Sequence, residues 1–427
     1  MNVRVPGDKS LSQRALILAS LADGRSRLQG LLYGGDTAST ADALRALGVS
    51  IPPIPEQGGV IEVDGVGLRG LRSPHGSLDM GNSGTGTRLL MGVLAGSPVS
   101  ATLTGDASLR RRPMRRVTEP LAAMGASFAF TDAEGMLPLT VIGADPLRSI
   151  DWPSPVASAQ VKSAILLAGL TGGAFSLITE PRQSRDHTER LFRQVGVAVL
   201  EHPAERGWRV EMRDPPGRID PLDFSVPGDI SSAAFVLALC ALGGTRAPVT
   251  VSDVGLNPTR TAFLDVLARM GASLDIEVDP GLGQEPTGSV SCAQEALCGT
   301  DVSGEEIPRL IDELPLVAVL GARAAGTTRI RGAAELRAKE SDRIDALVRN
   351  LRTLGVEVEE FDDGLEVVGS DRPLEGRIKT FGDHRIAMAF GVLGALPGNR
   401  VVVDEPGAAA VSFPGFWELL KTLSGEP

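Results

Sequence analysis

The segment Lys9–Leu21 reads KSLSQRALILASL, a polar start followed by an almost unbroken apolar run. A helix that is apolar on all sides is buried on all sides, so this segment predicts a core helix. Further copies of the pattern, 71 to 83 residues apart, open at Gly84, Ser158, Asp229, Asp312 and Asp383. The chain is therefore expected to contain six related units.

A second pattern, an amphipathic helix ended by Gly, recurs with a similar period. Its copies end at Gly48, Gly125, Gly196, Gly271, Gly355 and Gly425. Gly at that position takes the left-handed conformation that closes a helix. Alternating segments such as Val356–Phe361 (VEVEEF) follow several of these Gly and predict strands. Two helices plus several strands, repeated six times, favour two domains of three units each.

Composition excludes several classes of protein. The 427 residues carry a net charge of −11 and only 4% aromatics, which argues against a nucleic-acid binder or an anionic-membrane binder. The longest apolar run is too short to span a bilayer. Three Cys without metal-ligand spacing and an N-terminus without a leader pattern predict a reduced, cytoplasmic protein. The four His are too scattered to suggest a metal cage.

Lysine is rare, since only five of the 42 basic residues are Lys. Lys379 and Lys421 fit a solvated face. Lys9, Lys162 and Lys339 instead lie in segments that look like sites, where a compact ammonium does what a planar guanidinium cannot. Polar openings of buried helices favour anions, and convergence of their N-termini in each domain would make an anion-binding cleft. The first opening is only a weak match to a phosphate loop, because it lacks the upstream Gly and the Gly-Lys-Ser order.

Charged residues also cluster in several short segments. Asp312 and Glu340, each close to cations in sequence, are equipped to act as a base and an acid, although sequence alone does not bring them together. A charge run is usually a solvated face, and some Arg of the run 110–116 are expected to be solvated. His187 and His384 each stand beside an Arg and carboxylates, and either a structural role (helix capping or a hydrogen bond) or a site role stays open for them.

Taken together, these segments resemble the 5-enolpyruvylshikimate-3-phosphate synthase family over essentially the whole chain. The motifs form an ordered set: PGDKS, GNSGTGTR, RRPM, SAQVK, SRDHTE, VPGDISSAAF, NPTRT, IDELP, KESDR, GDHR and SFP. The resemblance implies a two-domain inside-out α/β barrel with three repeats and buried parallel helices in each domain. It places the N-terminal domain at residues 8–227 and the C-terminal domain at 1–7 plus 228–427, with a cleft between them.

The implied reaction moves the enolpyruvyl group of phosphoenolpyruvate to the 5-hydroxyl of shikimate 3-phosphate and releases phosphate. These two small molecules are the expected partners of a cytoplasmic monomer, with no cofactor, metal, nucleic acid or membrane. The family pattern places shikimate 3-phosphate at Lys9, Ser10, Arg14, Ser158, Ala159, Gln160, Arg185, Asp312 and Lys339. It places phosphoenolpyruvate at Lys9, Gly84, Arg112, Gln160, Arg343 and Arg385. Asp312 is the implied base, Glu340 the implied proton donor to the methylene carbon, and Lys9 an acid and charge stabiliser.

Three features depart from parts of the family. The strand that relatives place before the first motif is shortened or missing, and Val411 stands where some relatives carry a Lys that contacts phosphoenolpyruvate. Several motifs resemble the branch tolerant to the inhibitor glyphosate, whereas Gly84 leaves room for it, so intermediate sensitivity is expected.

Three rival functions are compared with this interpretation. A UDP-N-acetylglucosamine enolpyruvyl transferase would carry a loop Cys (sometimes Asp), and no Cys lies within 100–116. A non-catalytic anion binder would not need the Asp312 and Glu340 pair. A nucleic-acid-processing relative is disfavoured by the acidic balance.

Overall fold

The computed structural model describes residues 1–56, 58–279 and 285–425. These residues form two compact units. The N-terminal unit holds residues 7–226 together with Glu285, and the C-terminal unit holds residues 1–6, 227–279 and 286–425. The first strand, β1 (Asn2–Val3), therefore belongs to the unit that the second half of the chain builds.

Each repeat of the N-terminal unit contributes helices and a small group of strands. The helices are α1 (Lys9–Leu21), α2 (Gly35–Ala46), α3 (Gly84–Ala95), α4 (Ala107–Arg110), α5 (Arg115–Ala123), α6 (Ala159–Gly172) and α7 (His187–Gln194). The strands are β2 (Arg25–Gln29), β3 (Val60–Asp64), β4 (Leu78–Asp79), β5 (Ser100–Thr104), β6 (Ser127–Phe130), β7 (Leu139–Ile142), β8 (Ile150–Pro153), β9 (Ser176–Glu180), β10 (Leu200–Ala204), β11 (Gly207–Met212) and β12 (Asp223–Ser225).

The C-terminal unit is built in the same way. Its helices are α8 (Ile230–Ala241), α9 (Ala262–Arg269), α10 (Ile307–Leu310), α11 (Leu314–Gly321), α12 (Arg343–Thr353), α13 (His384–Gly394) and α14 (Phe416–Ser424). Its remaining strands are β13 (Val249–Gly255), β14 (Ser273–Asp279), β15 (Thr287–Ala293), β16 (Asp301–Val302), β17 (Thr327–Ile330), β18 (Val358–Phe361), β19 (Gly364–Val368), β20 (Glu375–Ile378) and β21 (Arg400–Val403). Short 3-10 turns cover Gly304–Glu306, Ala334–Ala338 and Pro406–Val411.

The sheets repeat one design. Four sheets have the orders β4-β5-β7-β6, β10-β11-β9-β8, β1-β13-β15-β14 and β16-β17-β19-β18. In each of them one parallel pair is extended by an antiparallel hairpin, as in the β16–β17 pair followed by β19 and β18. The sheets β12-β2-β3 and β20-β21 are shorter versions that also contain a parallel pair. The sixfold repeat predicted from the sequence is confirmed.

The buried helices lie inside each unit and the sheets lie outside. Every residue of α8 is buried, whereas β2 and β3 alternate exposed and buried positions along their length. An alternating strand has one face on a core and one face in water, so the sheets cover the helices. In the C-terminal unit α8, α11 and α13 all contact one another, and in the N-terminal unit α3 contacts both α1 and α6. Each unit has its own apolar core.

Glycine ends the amphipathic helices, as the sequence predicts. The six Gly have φ values between +75° and +113°, a left-handed region in which a Cβ atom is strained. They are Gly48, Gly125, Gly196, Gly271, Gly355 and Gly425. The strand predicted from Val356 begins two residues later, at Val358, because the Val356 amide still donates to the Leu351 carbonyl of α12.

Within the described part of the chain, no helix combines the length and the apolar composition that a membrane crossing requires.

Candidate active site

Arg14 is the centre of the first group of predicted residues, in the N-terminal unit. It lies one turn into α1 and is buried, and its Nε donates to Thr188 Oγ1 at 2.8 Å. Its Nη2 donates to Ser163 Oγ at 3.1 Å, and its Nη1 donates to Ser10 Oγ at 2.5 Å. These bonds tie the start of α1 to α6 and α7. The guanidinium is thus fixed in one orientation at a helix N-terminus, where an anion is favoured.

Lys9 is the first residue of α1, and the N-cap Asp8 accepts the Leu11 amide at 2.8 Å. The Lys9 ammonium lies 2.9 Å from the carboxylate of Asp36, in the first turn of α2. Its side chain is 18% exposed, so a ligand can reach it, whereas the 7% exposed Asp36 serves as its anchor. Sequence analysis missed Asp36; its only local signal is its position in a Gly-rich helix start.

Gln160, the second residue of α6, connects this helix to other polar side chains of the N-terminal unit. Its Oε1 accepts from Arg88 Nη1 of α3 at 2.8 Å and from Arg116 Nη2 at 3.3 Å. Its Nε2 donates to Thr85 Oγ1 at 3.0 Å. Arg88 lies in the GNSGTGTR motif and Arg116 in the run 110–116, neither with a predicted binding role, and the structure places both beside a predicted binding residue.

Arg112 is buried, whereas Arg110, Arg111 and Arg115 of the same run are exposed. Arg112 Nη2 donates to Asn82 Oδ1, and Asn82 Nδ2 donates in turn to Asp106 Oδ2 at 2.6 Å. The prediction that some Arg of the run are solvated is confirmed for these exposed members. Arg112 differs because it is drawn to the polar start of α3.

The start of α6 and the loop after β9 complete the N-terminal group. Ser158 caps α6, and its backbone amide donates to Glu180 Oε1 at 2.8 Å. Ser158 and Ala159 are both half-buried, as is Arg185 in the loop that follows Glu180. The neighbouring His187 is buried, and its Nδ1 lies 2.7 Å from Glu285 Oε1. This pairing gives His187 a structural hydrogen bond, one of its two open alternatives.

Arg343 gathers the predicted residues of the C-terminal unit. This first residue of α12 is 1% exposed, and its Nη2 donates to Glu340 Oε2 at 2.7 Å. Its Nη1 lies 3.6 Å from Asp312 Oδ1, and Lys339 Nζ lies 3.7 Å from the same oxygen. The structure therefore brings Asp312 and Glu340 to one guanidinium. Both carboxylates are about one-fifth exposed, which leaves them open to a ligand.

Two buried carboxylates form ion pairs with the cations of this group. Asp383, the N-cap of α13, accepts from Arg343 Nε at 2.8 Å and from the Arg385 amide at 2.9 Å. Glu313 lies 3.6 Å from Arg385 Nη1 and accepts from Ser231 Oγ. Sequence analysis gave Asp383 only as a helix opening and did not find the role of Glu313, because neither contact leaves a local pattern.

Burial and charge shift several of these groups. Burial lowers the pKa of Arg14 to about 10, so its guanidinium stays charged at neutral pH. Burial opposes the charge of Arg343 too, but Asp383 and Glu340 hold the pKa of Arg343 above its ordinary value. Although burial favours its neutral form, Arg343 keeps the pKa of Asp383 below its ordinary value. Arg14 and Arg343 are therefore both held in the charged form that anion binding needs.

A known protein family matches nearly the whole chain. Residues 1–420 match the family model described as EPSP synthase (3-phosphoshikimate 1-carboxyvinyltransferase). The chain belongs to the EPSP synthase family. A 3-phosphoshikimate 1-carboxyvinyltransferase of Desulforamulus reducens is 47% identical, with 99% of this chain and 96% of the relative covered. A 3-phosphoshikimate 1-carboxyvinyltransferase of Halorhodospira halophila is also 47% identical, with 98% of this chain and 93% of that relative covered.

Solved structures agree with this membership. An EPSP synthase from Acinetobacter baumannii is 37% identical and superposes with a TM-score of 0.84, covering 99% of this chain and 95% of that one. The enolpyruvyl transferase NikO from Streptomyces tendae, at 19% identity and a TM-score of 0.75, shares the fold. The predicted family, the two-domain α/β fold and the prediction of an enzyme are confirmed.

Proposed function

We propose that this EPSP synthase transfers the enolpyruvyl group of phosphoenolpyruvate to the 5-hydroxyl of shikimate 3-phosphate, releasing phosphate. The observation that carries the proposal is the pair of carboxylates, Asp312 and Glu340, at the buried guanidinium of Arg343. A protein that only bound anions would gain nothing from two carboxylates facing its ligand. Addition followed by elimination, in contrast, needs both a base and an acid.

Shikimate 3-phosphate is proposed to bind two sets of residues. In the N-terminal unit these are Lys9, Ser10, Arg14, Ser158, Ala159, Gln160 and Arg185. Arg14 and the starts of α1 and α6 suit a phosphate, because they offer a fixed guanidinium and helix N-termini. In the C-terminal unit Asp312 and Lys339 are proposed to hold the 5-hydroxyl end, and their 3.7 Å separation suits a shared hydroxyl.

Phosphoenolpyruvate is proposed to bind Lys9, Gly84, Arg112, Gln160, Arg343 and Arg385. Each charge-assisted hydrogen bond from these Arg contributes about 1.5–3 kcal/mol. Their larger effect is to hold two anions together that would otherwise repel each other. Val411 ends the 3-10 turn Pro406–Val411 and brings no charge, so the cations named above carry this site.

Proton transfer follows from these positions. Asp312 takes the proton of the 5-hydroxyl as its oxygen bonds to C2 of phosphoenolpyruvate, while Glu340 gives a proton to the C3 methylene. The product of this addition is a tetrahedral ketal phosphate. As phosphate departs, with Lys9 stabilising the leaving oxygen, the Glu340 carboxylate takes a proton back from the new methyl group, and the enol ether of the product forms.

Arg343 links binding to the proton that Glu340 must carry. In the structure Glu340 is paired with Arg343 at 2.7 Å. An anionic ligand that takes up this guanidinium leaves the Glu340 carboxyl facing negative charge, which favours its protonated form. Substrate binding thus prepares the proton donor.

Phosphate release tests the proposed reaction. The purified protein is expected to release phosphate from phosphoenolpyruvate only when shikimate 3-phosphate is present, and to do so equally well with EDTA. Release with UDP-N-acetylglucosamine instead would move the protein to the rival transferase class. Silence with both acceptors would favour the anion-binding alternative.

Gly84 tests the phosphoenolpyruvate site. A Cβ atom added there would lie 2.9 Å from Arg112 Nη1 and 3.1 Å from Arg88 Nη1, so both side chains must shift. Gly84→Ala is expected to raise KM for phosphoenolpyruvate about tenfold, because about 1.4 kcal/mol of positioning is lost. Steady-state kinetics with each substrate varied separately checks this. Gly35→Ala, where a Cβ meets nothing within 4 Å, is the control and should leave both KM values unchanged. An unchanged KM in Gly84→Ala would exclude the site.

The setting of the reaction is also proposed. We place the protein in the cytoplasm, as a monomer without a cofactor. Its three cysteines, Cys240, Cys292 and Cys298, are free thiols in the structure, which fits a reducing compartment. Light scattering should give the mass of a single 44.6 kDa chain, and twice that mass would exclude a monomer.

A further inference from the structure

Lys162 is a site-like lysine that the proposed reaction does not use. It lies in the first turn of α6 and is 0% exposed, so it cannot touch a substrate. Its ammonium lies 2.6 Å from Glu189 Oε1, on α7, and 3.4 Å from Glu180 Oε2, at the end of β9. A fully buried charge among two buried carboxylates is costly, so its retention calls for a specific purpose.

Glu180 connects this ammonium to the proposed binding residues. Its side chain is 1% exposed, and its Oε1 accepts the backbone amide of Ser158 at 2.8 Å. Its Oε1 and Oε2 also lie 2.9 and 2.7 Å from the hydroxyl of Ser184, the residue before Arg185. One carboxylate therefore holds both the start of α6 and the loop that carries Arg185.

Glu189 extends the same network to Arg14. It follows Thr188, whose hydroxyl accepts from Arg14 Nε at 2.8 Å. Lys162 thus lies between two carboxylates. Glu180 contacts the segments of Ser158 and Arg185, and Glu189 is next to the residue that binds Arg14. Removing its charge would leave two buried acidic side chains without their shared cation, and at least one would move.

We propose that Lys162 is a positioning residue, which acts through Glu180 and Glu189 to hold Ser158, Arg185 and Arg14 in the geometry that binds the phosphate of shikimate 3-phosphate. The inference deepens the proposed function and rests on it. Its chemical content is specific: affinity for shikimate 3-phosphate depends on a charge that never contacts that ligand.

Lys162→Met tests this role, because the Met side chain is nearly as long as that of Lys but carries no charge. The dissociation constant for shikimate 3-phosphate, measured by calorimetry with the full-length protein, is expected to rise about 10- to 100-fold. At saturating substrate, kcat should change less than about threefold, because the reacting groups are untouched. KM for phosphoenolpyruvate should also change less than about threefold.

A matched control separates positioning from general destabilisation. Ile165 lies on the same helix at a fully buried apolar position, so Ile165→Ala also lowers stability but removes no charge. It should lower the melting temperature and leave the dissociation constant unchanged. A Lys162→Met protein that loses only melting temperature, as this control does, would overturn the proposal.

Glu180→Gln provides the second variant if Lys162→Met does not fold. Gln keeps the shape and one acceptor oxygen, but its NH2 group must face either the Lys162 ammonium or the Ser158 amide, which are both donors, so the dissociation constant should again rise about tenfold or more. A folded Glu180→Gln protein with wild-type affinity would overturn the proposal. Wild-type protein that neither binds shikimate 3-phosphate nor releases phosphate would instead overturn the proposed function itself.

Discussion

Asp312→Asn is expected to lower kcat by about 10²–10⁴-fold, the usual contribution of a positioned general base. Asn keeps the shape of the side chain and its contact with the cations, but its amide cannot accept the proton of the 5-hydroxyl. Asp312 lies 3.6 Å from Arg343 and 3.7 Å from Lys339, and these cations stay in place. The dissociation constant for shikimate 3-phosphate is therefore expected to change much less than kcat.

The double variant Asp312→Asn/Glu340→Gln is expected to lose turnover almost completely and still bind shikimate 3-phosphate. Residues that act in one reaction are not additive, so the double variant should be little slower than the slower single variant. Single-turnover kinetics with phosphoenolpyruvate, and calorimetry for the acceptor, measure the two effects separately.

Glu335→Gln is the matched control for this experiment. Glu335 is also a carboxylate near Lys339, at 3.9 Å, but it is 48% exposed, whereas Asp312 is 19% exposed. Its kcat should stay within about twofold of wild type. Wild-type turnover in Asp312→Asn would refute the role of Asp312 as the general base. Equal losses of kcat in Asp312→Asn and Glu335→Gln would show a general effect of removing a negative charge.

Local signals account for what the sequence could predict. Each apolar run and each closing Gly lies within a few consecutive residues. The six buried helices and the six amphipathic helices could therefore be predicted without knowing which segments they pack against. Ser158 and Asp383 could be recognised as helix openings for the same reason, and both are N-caps in the structure. The motif set then identified the family.

Long-range pairings account for what could not be predicted. Arg14 binds Thr188 across 174 residues, and no local pattern marks either residue as the other's partner. Asp36, Glu180 and Glu313 were missed for this reason, because each is an ordinary acidic residue until the fold brings a cation or a helix start to it. The scarcity of Lys was the one global signal that pointed to Lys162 before its contacts were known.

Arg343→Met is expected to destabilise the C-terminal unit by about 3–5 kcal/mol, the usual effect of removing one partner of a buried ion pair. Arg343 is 1% exposed, and Asp383, at 2.8 Å, is 0% exposed. Without the guanidinium, Asp383 is a buried carboxylate that lacks its cation and must be neutralised or reach water. Arg343→Lys should cost less, since an ammonium keeps the charge but cannot donate to Asp383 and Glu340 together as a fork.

The loss should depend on pH in a defined direction. Arg343 holds the pKa of Asp383 below its ordinary value, so this pair contributes stability above about pH 4, and that contribution is lost as pH falls through the lowered pKa. The difference between wild type and Arg343→Met should therefore be largest near pH 7 and shrink below about pH 4.

Chemical denaturation across this pH range measures the effect, with Arg349→Met as the control on the same helix. Arg349 also pairs with a carboxylate, Asp345 at 2.7 Å, but it is 65% exposed, and exposed pairs of this kind contribute less than about 1 kcal/mol. A loss in Arg343→Met no larger than in Arg349→Met would contradict the argument. A loss that did not shrink in acid would mean that the missing packing of the side chain, and not the unpaired charge of Asp383, sets the stability.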